Sequence, residues 1–174
     1  LMAGRTNRQH ALPITFGFKV AGWIEEIGRA VDRLDCGGRR LFVLPFGGAV
    51  GAMHAFGAEG RALNERLAAA LGLGTLLVPG RAINDLFADY IVQLSLLAMT
   101  VERIADELYL LMTQEIGEVS EALDKGTVGS STMPHKVNPK YVVRVLADAA
   151  ELRGLAVPAM ETGRSSHEGD SARN

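Results

Sequence analysis

Between Arg81 and Ile116 the chain has no glycine and no proline. Apolar residues recur there at Ile83, Leu86, Phe87, Tyr90, Ile91, Leu94, Leu97, Ala98, Val101, Ile104, Ala105, Leu108, Leu111 and Met112. Steps of three residues and one residue return to the same face of a 3.6-residue helix. At 1.5 Å of rise per residue this segment predicts a rod on the order of 50 Å long. A rod with so broad an apolar stripe needs neighbours along its whole length, because isolated helices are marginal in water. Companion helices are expected over the periodic apolar positions from Phe18 to Leu34, over 55–71, and from Tyr141 to Leu155. These cover only part of the rod. The pattern therefore predicts an all-α, long-helix bundle whose remaining faces pack between subunits.

The rod leads into a segment of opposite character, 126–139: Gly126-Thr127-Val128-Gly129-Ser130-Ser131-Thr132-Met133-Pro134-His135-Lys136-Val137-Asn138-Pro139. Two glycines and two prolines prevent either flanking helix from continuing through it. Within nine residues it carries two adjacent hydroxyls, a lysine and an amide. Glycine-rich backbone can present several N–H groups to one anion, Lys136 adds a full positive charge, and Asn138 adds directional donors. The combination points to a carboxylate-bearing small molecule. Other loop motifs fail on spacing. A Walker A loop requires Gly-Lys-Ser/Thr, but His135 precedes the lysine and Val137 follows it. A Ser-x-x-Lys pair would need serine at Met133, and no Gly-x-Ser-x-Gly elbow surrounds Ser130 or Ser131. Composition alone also allows a surface connector built of turn residues.

The run from Gly129 to Asn138 resembles the G-S-S-x-M-P-x-K-x-N signature of the fumarase/aspartase superfamily at every fixed position. It is similar to the branch that holds adenylosuccinate lyase and 3-carboxy-cis,cis-muconate cycloisomerase. The resemblance implies addition or elimination next to a carboxylate, without metal or organic cofactor, on a small polycarboxylate substrate. It also implies a homotetramer with composite active sites. By motif position Ser130 would be the catalytic base, while Ser131, Lys136 and Asn138 would hold the substrate carboxylate. Members of the superfamily are longer, so residues 1–174 are expected to be the central helical-bundle domain, with flanking domains on either side.

The first residues resemble the G-R-T-H-x-Q motif of the same family, with Asn7 where histidine is usual. Asparagine exchanges no proton near neutral pH but can orient a carboxylate or carbonyl. Thr6, Asn7 and Gln9 are therefore expected to position substrate. His10 could not stand in for the missing ring without rearrangement. Many relatives also carry a glutamate shortly after Asn138, where this chain has Val142 and Val143. The joint loss of histidine and glutamate favours a lactonising cycloisomerase of aromatic catabolism. A fumarate-releasing lyase is the alternative, and a non-catalytic dicarboxylate-binding or structural bundle the second.

Elsewhere, Thr15 is placed to cap a helix expected to end by Gly37-Gly38. Trp23 is expected to pack within the bundle. Leu41–Leu44 reads as a brief strand or extended lead-in, and the glycines of Gly47-Gly48-Ala49-Val50-Gly51 suit close backbone approach. His54 reads as a satisfied structural histidine. Glu115, Glu118 and Glu121 read as a solvated acidic helix face; no histidine or cysteine stands at ligand spacing to make them a metal site. The segment from Ser165 partly resembles an H-E-R-D motif with Gly169 in place of arginine, and His167, Glu168 and Asp170 read as a solvated tail.

A formal net charge of −2 gives no electrostatic reason to expect nucleic acid or an anionic membrane as partner. Cys36 is the one cysteine, which excludes an internal disulfide and makes a reducing cytoplasm the natural compartment.

Overall fold

The computed structural model describes residues 1–122, 126, 129–133 and 135–169. Thr127, Val128 and Pro134 of the 126–139 segment, and Asp170 with the residues after it, lie outside the described set.

The chain opens with an antiparallel hairpin, β1 (Met2–Thr6) and β2 (Gln9–Ile14), closed by Asn7 and Arg8. Both closing residues have positive φ, 50° and 62°. Those signs match a two-residue hairpin turn whose twist suits the paired strands. Next comes α1 (Phe16–Leu41). Thr15 starts it as expected: its Oγ1 accepts the Phe18 N–H at 3.0 Å. Trp23 is buried and meets Phe16 edge to face at 6.0 Å.

Gly37 and Gly38 do not end α1, contrary to expectation. The helix runs on to Leu41, and the Phe42 N–H bonds the Gly38 carbonyl at 2.9 Å. A Cβ at Gly37 would come within 2.5 Å of Gln93 Oε1, so this glycine permits close packing and does not break the helix.

Two short strands, β3 (Val43–Leu44) and β4 (Gly74–Thr75), pair in parallel. Between them lie a 3₁₀ segment, His54–Glu59, and α2 (Gly60–Leu71), which stops at left-handed Gly72. His54 is exposed, not a buried structural residue. The glycine-rich segment makes the close approach its composition suggests: a Cβ at Gly51 would lie 2.2 Å from the Pro79 carbonyl oxygen.

The rod is α3 (Asp85–Leu111), 27 residues and so roughly 40 Å, shorter at both ends than the periodicity predicts. Its C-terminal end is set by a backbone reversal that apolar spacing does not register. Gly117 takes φ 58°, and the chain turns back so that the Glu118 N–H bonds the Leu111 carbonyl at 3.0 Å. After the signature come α4 (Tyr141–Gly154) and α5 (Ala156–Thr162).

The fold is a long-helix bundle, as the sequence implies. Its contacts divide it into two compact units: 1–29 with 97–152, and 30–96 with the described residues from Arg153 on. In the first unit α1 and α3 are tied by Glu26, which accepts from Thr100 Oγ1 at 3.0 Å and pairs with Arg103; Lys19 pairs with Glu107. Buried positions there are mostly small, Ala98, Thr100, Ala105 and Ala149 among them, and Leu111 is fully buried. In the second unit Ala30, Ala68 and Ala159 are buried, and Arg40 pairs with Asp89 at 2.8 Å. Small residues let helix axes approach closely.

Candidate active site

The signature loop lies in the first unit. Gly129 and the return limb 136–138 run against each other. The Asn138 N–H reaches the Gly129 carbonyl at 3.4 Å, and a Cβ at 129 would lie 2.7 Å from the Lys136 carbonyl oxygen. Only glycine allows that approach, which brings the Lys136–Asn138 backbone beside the start of the serine pair. Ser130 Oγ accepts the N–H groups of Met133 at 3.2 Å and Thr132 at 3.4 Å. The hydroxyl thus sits in a small backbone cradle whose donors point at the oxygen. Ser130 and Asn138 are half-buried, while Ser131 and Lys136 are exposed.

Thr6, Asn7 and Gln9 form a second group at the exposed tip of the β1–β2 hairpin. Among the described residues no hydrogen bond joins this tip to the four loop residues. The hairpin is tied instead to the segment ahead of the loop. Arg5 donates from both terminal nitrogens to Glu118, at 2.7 and 2.9 Å. This two-point pair holds the Glu118 carboxyl below the ordinary carboxylate range, with smaller help from His10 and Lys19 and against a desolvation penalty.

The three glutamates do not form a solvated helix face, because α3 has already ended. Glu115 is exposed, Glu118 is paired with Arg5, and Glu121 has a role that sequence reasoning missed. Glu121 Oε2 accepts the N–H groups of Lys140 at 2.7 Å and Tyr141 at 3.1 Å; Oε1 accepts that of Val142 at 2.8 Å. These are donors that the first turn of α4 leaves without helical partners. Burial raises the Glu121 pKa, but the three N–H bonds outweigh it and the net shift is downward. The N-terminus of α4 is thus occupied by a carboxylate of the chain itself. No sequence motif marked this residue.

In the second unit His167 and Glu168 are exposed, in line with a solvated segment. A Cβ at Gly169 would meet Arg81 Nε at 3.2 Å.

Residues 1–154 match the model of a protein family described as Lyase. The chain belongs to this family, that of the fumarase/aspartase superfamily. It is 43% identical to the adenylosuccinate lyase of Methanothermobacter thermautotrophicus over 169 residues, 96% of this chain and 38% of that protein. It is 41% identical to the N-acetyl-S-(2-succino)cysteine lyase of Enterococcus italicus over 138 residues, 79% of this chain and 30% of that one. Among solved structures, the 3-carboxy-cis,cis-muconate lactonizing enzyme of Pseudomonas putida superposes with a TM-score of 0.85. It is 34% identical and covers 96% of this chain and 36% of that one. The chain spans between 30% and 38% of the length of these relatives.

Proposed function

We propose that this lyase, in its full-length assembly, removes a proton from a carbon next to a carboxylate and expels a heteroatom from the adjacent carbon. The observation that carries the reading is the cradle at Ser130: a hydroxyl oxygen facing two backbone N–H donors, on a loop that also carries Lys136 and Asn138. A free serine is far too weak a base for such a carbon acid. N–H donors aimed at its oxygen stabilise the alkoxide, and the lysine charge adds to that stabilisation. As the proton moves to Ser130 Oγ, the C–H electron pair spreads onto the substrate carboxylate. In this reading Ser131, Lys136 and Asn138 hold that growing charge. The pair then forms the new double bond as the heteroatom departs with its own bonding electrons. No step calls on a metal or organic cofactor. Thr6, Asn7 and Gln9 orient the remainder of the substrate. The site is completed by neighbouring copies in a homotetramer.

For the substrate, the names of the two lyase relatives share a succino group, a 1,2-dicarboxyethyl unit, which supports a compound that carries this unit on a heteroatom and releases fumarate. Lactonisation of a carboxymuconate is the second reading. It is favoured by the likeness to the lactonizing enzyme and by Asn7, which offers no ionising ring. Assay of the full-length protein on adenylosuccinate, N-acetyl-S-(2-succino)cysteine and 3-carboxy-cis,cis-muconate separates the two by product. Ser130→Ala is expected to lower turnover at least a thousandfold while calorimetry still detects substrate binding. Turnover within tenfold of wild type removes Ser130 from the mechanism. Dicarboxylate binding without turnover by the wild type would instead indicate a non-catalytic relative.

A further inference from the structure

We propose that Glu121 is a positioning residue that clasps the base of the signature loop and thereby sets where Ser130, Lys136 and Asn138 are presented. The proposal rests on the reading of that loop as the reacting site. Glu121 stands just ahead of the loop and its three hydrogen-bond donors stand just behind it. The nearest, Lys140, is 19 residues further along the chain. Both carboxylate oxygens are engaged, and they satisfy three successive N–H groups at 2.7, 3.1 and 2.8 Å.

An ordinary helix cap is supplied by the residue at the helix threshold, through a short side chain that accepts one or two N–H groups. Here the threshold residue is Lys140, whose side chain has no acceptor, and Pro139 ahead of it has no N–H. The acceptor comes from the opposite end of the loop. Capping α4 and closing the loop are therefore one contact.

Among the described residues one bond within the loop is of comparable length, from the Lys136 N–H to the Met133 carbonyl at 3.0 Å, and the others are longer. The Asn138 N–H to Gly129 carbonyl distance is 3.4 Å, near the limit of a useful hydrogen bond, and the Ser130 cradle distances are 3.2 and 3.4 Å. The charge-assisted bonds are those of Glu121, two of them at 2.7 and 2.8 Å. The segment that carries Glu121 is itself anchored, because Glu118 bonds the Leu111 carbonyl through its N–H and Arg5 through its carboxylate. Glu121 also shares a cavity of about 130 Å³ with Val137, Asn138 and Pro139, so the clasp adjoins the limb that carries the carboxylate-holding residues. Loosening it should let that limb shift, and a displacement near 1 Å at a reacting group costs on the order of a hundredfold in rate.

The test uses the full-length assembled protein with Glu121→Ala and Glu121→Gln. Two quantities are read: kcat and KM on the substrate that the wild type turns over, and the rate of native-state trypsin cleavage at Lys136–Val137. For Glu121→Ala, kcat should fall at least tenfold with KM within threefold, and cleavage should speed up about tenfold. Glu121→Gln keeps one oxygen at the same reach and should recover part of both. If Glu121→Ala loses its fold, the comparison is made on Glu121→Gln. A lowered melting temperature with kcat and cleavage rate within twofold of wild type would make Glu121 a helix cap only and overturn the proposal. If the wild type turns over none of the three substrates, the functional reading fails, and the cleavage rates still decide the clasp.

Discussion

At Gly129 a single missing carbon decides how the loop closes. Its φ is not in the left-handed region, so alanine meets no backbone strain there. The obstacle is space, since the new Cβ would lie 2.7 Å from the Lys136 carbonyl oxygen and 3.1 Å from Val137 Cα. Both atoms are backbone and cannot swing aside, so the return limb must move. If the proposed reaction holds, Gly129→Ala is expected to lower kcat at least tenfold in the full-length protein and to shift the melting temperature by no more than a few degrees, because the described residues of the loop are largely exposed. Steady-state kinetics beside a thermal melt checks both parts. Ser130, Ser131, Lys136 and Asn138 could be proposed from the sequence because their chemistry is local to one run of the chain. Asn7 was legible as a departure from a motif, but its backbone was not: the side chain stands on a turn that needs positive φ, where asparagine is among the few residues at ease. Glu118 and Glu121 were misread because their partners, Arg5 and the α4 amides, lie far away in sequence.

At the scale of elements, three carboxylates join one segment to another: Glu26 between α1 and α3, Glu118 between the hairpin and the chain beyond α3, and Glu121 between that chain and α4. All three pKa values lie below the ordinary carboxylate value. The chief lowering causes are, in turn, Arg103, Arg5 and the α4 amides. A depressed folded-state pKa means that the unfolded chain binds protons first as pH falls. The stabilisation is therefore whole above the unfolded value, about 4.3 for glutamate, and is lost as pH drops through the folded values. Stability should be level with respect to these groups from neutral pH down to about 5, then fall steeply. Glu118→Gln should flatten part of that fall in denaturant melts at pH 7 and pH 3.5. An unchanged acid profile in Glu118→Gln would mean that the Arg5 pair contributes nothing to stability, as many exposed pairs do not. Helices were legible from apolar spacing through their periods of three and four residues; the β1–β2 hairpin, whose strands are exposed or half-buried and carry no apolar alternation, was not. Element ends were not legible either. Gly37-Gly38 passes through α1 because Gln93 packs against it, and α3 stops at Leu111 because Gly117 reverses the chain.

For the whole molecule, the question is what covers the apolar side chains that the described residues leave in water. On α3, Phe87, Leu96, Met99 and Tyr109 are exposed; on α4, Tyr141, Val143 and Val145; on α1, Phe18, Ile24 and Val31. In the first unit α1, α3 and α4 also frame an almost wholly apolar cavity of about 330 Å³, lined by Ile27, Val101, Ile104, Leu108 and Val145 among others. Single exposed apolar residues need no explanation, but rows of them along a helix mark surface made to be covered. We expect other copies of the chain to cover it. Met99, half exposed at mid-helix, separates the alternatives. If it faces water in the working protein, Met99→Lys replaces one good helix former by another and changes stability by no more than about 0.5 kcal/mol. If it packs against a neighbouring subunit, the same change buries an unpaired charge at every copy of the interface, at a cost of several kcal/mol. Sedimentation equilibrium of the full-length protein should show four copies for the wild type and smaller species for Met99→Lys, with helical circular dichroism preserved and turnover lost along with association. A Met99→Lys protein that stays assembled and active would place this stretch of α3 against solvent, and the covering surface would have to be sought on the other helices.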